Sequence, residues 1–221
     1  MPDLLPDCKV DFVHERVLAD EALRWRKRSG TENYAYFDIV AFVERVLRPN
    51  AKRPFKIAFF HQVPGAKPAY VSYKRQITLH VDREVWLDAK DGDPIARFII
   101  AHEIGHLLFH DHRAQAFSND PSERLKFAQP EYSAEWQANT FAFYFLVPDH
   151  MVAAFSGIRQ LSNACGVTEE IARERISMSP HATRRSYSSP CDICPHCGNL
   201  SLTPGGRCLS THCTTATRKS G

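Results

Sequence analysis

A chain of 221 residues with 43% hydrophobic content and a formal charge of +3 can bury a core of its own, and it suits one compact domain plus an appendage. Its longest apolar runs are far too short to cross a bilayer, and its start, MPDLLPDCKVDF, has no basic segment followed by an apolar one. These features exclude membrane-spanning and secreted classes, so the expectation is a soluble, cytoplasmic protein with no membrane partner.

In chain order, Leu18 to Arg28 reads as a helix with a solvated basic face. Asp38 to Leu47 reads as an amphipathic helix ended by Pro49. Phe55 to His61 reads as a buried strand, and Ala69–Tyr73 with Gln76–Val81 as a hairpin, its second arm alternating Ile77, Leu79 and Val81. Asp93 and Pro94 open the next helix, aspartate as N-cap and proline at the first position. A second core helix runs from about Glu131 to Val147 and stops at Pro148. Ile158 to Ile176 is a helical hairpin turning at Gly166. Its acidic residues Glu169, Glu170 and Glu174 suit a structural role better than a DNA-reading one. The fold class expected is α+β: a small antiparallel or mixed sheet packed on two core helices, then the hairpin and a small C-terminal module.

The helix opened by Asp93 carries His102-Glu103-Ile104-Gly105-His106 inside the apolar run RFIIAHEIGHLLF. Positions four apart share a helix face, so both imidazoles can point at one ion. The glutamate between them then sits where a general base is needed. Zinc in a hydrolase takes three protein ligands and keeps a fourth position open, so a third ligand must come from elsewhere.

Two residues compete for that place. His112 falls at the spacing HExxHxxGxxH, but Phe109 stands where that pattern needs a turning glycine, and no convincing Met-turn follows. Glu135, at the start of the second core helix, has dry aromatic walls around it. Asn139 lies four residues on, placed to hydrogen-bond a metal-liganding side chain. Together with the upstream motif, Glu135 is the better candidate.

The two blocks ARFIIAHEIGHLLFH and EWQANTFAFYFLVP resemble the ImmA/IrrE-type zinc metallopeptidases, whose pattern is HExGHxxxH followed after a spacer by ExxANxFAxxLLMP. The likeness covers roughly Phe37 to Met178, and the ending FLVP replaces the commoner LLMP conservatively. It implies His102, His106 and Glu135 as zinc ligands and Glu103 as catalytic base, with Asn139 and His110 supporting the ligands. It implies a domain over residues 37–178, preceded by an N-terminal helical segment at 1–36. The family's roles are cleavage of phage-type or mobile-element repressors and control of stress regulators, so a protein substrate, such as a helix-turn-helix repressor, is implied.

A polar linker at residues 179–190 leads to a module at 191–215, CDICPHCGNLSLTPGGRCLSTHC. Five of the seven cysteines lie here, and in a reducing compartment such a cluster holds metal more readily than disulfides. Cys194 and Cys197 form a CPxCG knuckle. The second pair comes from Cys208 and Cys213, with His212 or Cys191 as alternatives for the last ligand, giving one structural zinc beside the catalytic one. Leu200 to Leu202 and the turn Pro204-Gly205-Gly206 suit a short hairpin between the knuckles. From Ile171 onward seven basic residues face two acidic ones, a formal +5, which leaves −2 on the rest. Four thiolates on zinc cancel part of that excess, so nucleic-acid binding by the tail is weak on charge alone.

The function expected is a zinc endopeptidase, with a substrate strand added along the hairpin edge. His110, His112 and Tyr73 are the candidates for stabilising an oxyanion. The alternative is a zinc-containing regulator or sensor acting by protein or DNA binding with little proteolysis.

Overall fold

The computed structural model of the chain describes residues 9–51, 53–61, 66–110 and 129–179, with the backbone alone of 192–193 and 200–202. Helix α1 spans Glu15–Arg28 and begins earlier than the pattern suggests, because the ring of His14 accepts the Arg16 amide and acts as N-cap. Leu18, Ala22 and Trp25 face inward from it. Helix α2 (Ile39–Phe42) starts on the Asp38 carboxylate, which accepts the Ala41 amide. The run then widens into a π turn over Val43–Leu47 and closes as α3 (Arg48–Asn50). Pro49, expected to end this helix, lies inside its last turn. The Arg48 amide reaches back to Val43 O, and the widened turn makes room for a ring that would clash in a regular helix.

Strands β1 (Phe55–Phe60), β2 (Ala69–Tyr73) and β3 (Ile77–Asp82) form a mixed sheet in the order β1-β3-β2. The hairpin β2–β3 is antiparallel as expected, and β1 runs parallel to β3. The central place explains why Leu79 and Val81 are fully buried. β1 is not the buried strand its apolar composition suggests. It is an edge, with Phe59 half exposed and leaning on Trp86.

Helix α4 (Arg83–Asp91) is an element the expectations lacked. Its signals were present: Asp82 accepts the Glu84 and Val85 amides, and Gly92 at φ 95° ends it. Helix α5 (Pro94–Phe109) opens on Asp93, which accepts the Ala96 amide at 2.8 Å. Helix α6 (Ala134–Leu146) starts three residues later than the pattern suggests. Ser133 caps it by accepting the Trp136 amide, and Glu131 belongs to a preceding 3-10 turn. After α7 (Asp149–Ala154), helices α8 (Ile158–Cys165) and α9 (Glu169–Ser177) make the expected hairpin around Gly166, at φ 61°. Helix α5 packs on α6, with β2 and β3 against α5 and α1 along α6. Ile100, Ile104, Phe141 and Phe145 are fully buried between these layers.

Among the described residues three arginines are fully buried, and each serves a helix end. Arg26 donates to Phe145 O at the end of α6, Arg97 to Cys165 O, Gly166 O and Phe37 O, and Arg175 to Val147 O and Asp149. The guanidinium carbons lie 4.8, 4.2 and 3.8 Å from the ring centres of Phe37, Tyr36 and Tyr144. A cation stacked on a ring and aimed at carboxy-terminal carbonyls recovers much of the desolvation it suffers.

In the C-terminal module, Asp192–Ile193 (β4) and Leu200–Leu202 (β5) pair antiparallel. Its five cysteines lie outside the described residues, as do His112 and the turn at 204–206.

Replacing Arg97 by methionine keeps much of the apolar volume but leaves three carbonyls without their donor. Urea melts should show a loss of about 1–3 kcal/mol. An unchanged midpoint would mean that water satisfies those carbonyls and that Arg97 does not hold the hairpin turn.

Candidate metal centre

Glycine 105 sits where α5 meets α6. A Cβ built there would lie 2.9 Å from Ala138 Cα and 3.0 Å from Ala138 O, closer than real side chains approach backbone. The absence of a side chain therefore lets the two helices touch backbone to backbone. His102 and His106 on α5 are thereby brought against Glu135 and Asn139 on α6.

The ligand atoms of His102, His106 and Glu135 all lie within 4.8 Å of one another, a group that could hold a metal ion. The facing Nε2 atoms of the two histidines are 2.9 Å apart. Glu135 Oε2 lies 3.2 Å from His102 Nε2, and its Oε1 lies 3.5 Å from His106 Nε2. About a sixth of each histidine side chain and a third of the glutamate remain exposed, so the group opens towards solvent. Two imidazole nitrogens and one carboxylate suit zinc among the common divalent ions, and three protein ligands leave a position open. The donor set therefore fits the metal that the sequence leads one to expect.

Behind this group, His102 Nδ1 meets Asn139 Oδ1 at 2.8 Å, as the four-residue spacing from Glu135 predicts. His106 Nδ1 meets His110 Nδ1 at 2.8 Å, and His110 Nε2 meets Gln137 Oε1 at 2.9 Å. Tyr73, on β2, donates its hydroxyl to His106 O at 2.6 Å, tying the sheet to the ligand helix. Sequence reasoning offered Tyr73 and His110 as oxyanion stabilisers. Here the tyrosine hydroxyl is directed at the His106 carbonyl, and His110 is buried with both ring nitrogens engaged. Gln137 escaped sequence reasoning altogether. Its one signal was an amide inside the apolar stretch of α6.

Electrostatics separates the two carboxylates. Burial alone would raise the Glu135 pKa, but the hydrogen bonds and charge of His102 and His106 outweigh it and hold the group below the usual carboxylate range. Glu103, 6% exposed, goes the other way: burial pushes it up against the opposing pull of His106, His102 and Lys67. Burial likewise disfavours the His102 imidazolium, yet Glu135 and Glu103 outweigh that and raise its pKa. Burial, helped by the charge of His106, lowers His110 to about 4 against the upward pull of Gln137 and Glu135.

The Gly105 contact generates a test. In Gly105→Ala the added methyl must push α6 away, costing about 1–3 kcal/mol of overpacking, partly offset by about 1 kcal/mol of helix preference. A lower stability should accompany a weaker affinity of the chain for zinc, measured by chelator competition. Wild-type affinity in the alanine variant would show that the ligands do not depend on this close approach.

Comparison with known proteins follows the same residues. No curated protein matches the chain. A solved structure of a Mycobacterium tuberculosis transcriptional regulator is similar over 75% of this chain and 48% of its own length, at 19% identity and a TM-score of 0.49, so this chain spans about half of that regulator. Residues 57–177, more than half of the chain and including every residue of the His102–His106–Glu135 group, match the family described as the IrrE N-terminal-like domain. The chain therefore belongs to the IrrE N-terminal-like domain family.

Proposed function

We propose that this chain is a zinc-dependent endopeptidase acting on a regulatory protein. The observation that carries the reading is Glu103, a buried carboxylate beside a three-ligand group and not itself one of the ligands. Zinc held by His102, His106 and Glu135 would supply Lewis acidity, polarising a peptide carbonyl and making water more acidic. Glu103 would take a proton from the attacking water on its carboxylate and pass it to the leaving amide nitrogen. Its raised pKa brings it nearer to neutrality, which suits a group that must both accept and return a proton. Asn139 holds His102 in place, and Glu135 stays ionised throughout.

Among the described residues β2 pairs only with β3, so one of its edges faces away from the sheet. Tyr73 anchors the end of that strand to the ligand helix. An extended substrate segment adding along β2 would run towards the ligands, its backbone bonded as a further strand. Membership of the family makes a repressor-like regulator the substrate class favoured here.

The rival reading is a regulator that keeps the metal site and acts by binding. It requires no proton carrier at Glu103. Within the α8–α9 hairpin, Arg175 is fully buried against Val147 O and the Tyr144 ring and cannot meet a phosphate.

Glu103→Gln should retain zinc in the core and lose roughly 10²–10⁴ of the cleavage rate on an unfolded protein substrate. Glu135→Ala should lose the core metal itself. Full cleavage by Glu103→Gln would remove the general-base role.

A second expectation concerns the cysteine module. The intact chain should bind two zinc ions, and a chain truncated before Ser189 one, with cleavage of a generic substrate preserved. A segment of some twenty residues cannot bury enough apolar surface to fold without its metal. Equal zinc content in both chains would show that the tail holds no ion.

A further inference from the structure

We infer that Gln137 is a positioning residue for the metal centre: acting through His110, it fixes the His106 tautomer so that the Nε2 lone pair faces His102 and Glu135. The inference rests on the metal-centre reading above and follows from which groups can only accept or only donate.

The Gln137 side chain is fully buried. Its Nε2 lies 2.8 Å from Asp11 O and 2.6 Å from Glu131 O. Both are backbone carbonyls, which only accept, so the amide end facing them must be the NH₂ group. That leaves Oε1, an acceptor, facing His110 Nε2 at 2.9 Å, and the proton must sit on that ring nitrogen. A neutral imidazole carries one N–H, and both ring nitrogens of His110 are already taken, Nδ1 by His106 Nδ1 and Nε2 by Gln137 Oε1. His110 Nδ1 is then an acceptor. His106 Nδ1, 2.8 Å away, must donate to it, and His106 Nε2 is left with its lone pair. That nitrogen faces His102 Nε2 and Glu135 Oε1.

The direction of donation is thus set at one end by two carbonyls and delivered at the other as a metal-ready nitrogen. One of those carbonyls belongs to the N-terminal segment, well outside residues 57–177 that match the family. Lys9 bridges Ser133 in antiparallel fashion, Val10 N–H donates to Tyr132 O at 2.9 Å, and Val13 N–H donates to Glu131 O at 3.3 Å. The rings of Phe12 and Tyr132 meet edge to face at 5.4 Å. This strap runs beside the turn that leads into α6, and it holds Asp11 O where the amide needs it. The metal centre of this chain is therefore assembled from three places: the HExxH helix, the Glu135 helix and the N-terminal strap.

The test uses the full chain, metal-free and labelled with ¹⁵N in histidine, with tautomers read from the ring nitrogen shifts by long-range proton–nitrogen NMR. His106 should show the Nδ1–H form and His110 the Nε2–H form. In Gln137→Met both rings should redistribute between tautomers, and core affinity for cobalt(II) should fall about 10–100-fold, the range for losing a group that orients a ligand. Thiolate charge-transfer absorption distinguishes any cobalt taken up by the cysteine module. An Nε2–H His106 in the unaltered chain overturns the inference, as do unchanged tautomers and affinity in Gln137→Met. Should that variant fail to fold, the spectrum of the unaltered chain decides alone. Because the tautomers are read without metal, absence of core cobalt binding would instead overturn the metal-centre reading on which this rests.

Discussion

Everything at the centre of this molecule depends on two backbones touching at Gly105 and Ala138. Helices with ordinary side chains at their crossing stand about 8–10 Å apart. Here the missing Cβ lets Ala138 come close enough that a methyl on Gly105 would have no room. These side chains have short reach, so a small separation of α5 and α6 would take the Glu135 oxygens away from the imidazoles 3.2 and 3.5 Å off. The same contact explains the composition of α5. A helix pressed between a sheet and another helix has almost no solvated face, which is why RFIIAHEIGHLLF is apolar nearly all round and its polar residues are those with work to do.

Buried cations give the helices around this crossing their fixed ends. A carboxyl-terminal turn leaves carbonyls without intrahelical donors. Arg26 and Arg175 serve the end of α6, and Arg97 serves the turn between α8 and α9. Arg97 also belongs to α5, so the helix that carries the histidines is bolted to the distal hairpin through its own first turns. Burial pulls the Arg26 pKa down to about 10, which leaves it charged at neutral pH. The cost of desolvation is offset by carbonyl dipoles and aromatic faces, and at Arg175 also by the Asp149 carboxylate. Cys165 lies near all three cations yet is held to about 12 by burial, so it packs as a small apolar side chain and not as a thiolate.

Two glutamates a short distance apart are driven in opposite directions by what surrounds them. Glu135 meets two imidazoles and stays ionised; Glu103 faces desolvation first and the histidines second. On the function proposed, Glu135 must keep its charge as a ligand and Glu103 must be able to lose its own as a proton carrier. Environments that split paired carboxylates this way let one site serve two such roles. The chemistry of the site is therefore decided by burial as much as by residue type.

Much of this was legible in the sequence because it is local. The four-residue spacing of His102 and His106 places them on one helix face whatever surrounds the helix, and the same geometry puts Asn139 with Glu135. Asp93 before Pro94, the alternation through Ile77, Leu79 and Val81, and the turn at Gly166 are likewise written in a few neighbouring residues. What the tertiary structure alone decided is non-local. Nothing near Phe55 says that β1 lies at an edge parallel to β3, since its apolar residues find partners far along the chain. Pro49 reads as a stop until the π turn before it makes room. Tyr73 and His110, plausible oxyanion donors by type, are committed to His106 by a strand and a helix that meet only in the folded molecule. Gln137 was invisible for the same reason: an amide's meaning lies in the carbonyls of Asp11 and Glu131, brought together by a strap and a turn some 120 residues apart in sequence. Spacing determines which side chains share a face, whereas packing determines what each face meets.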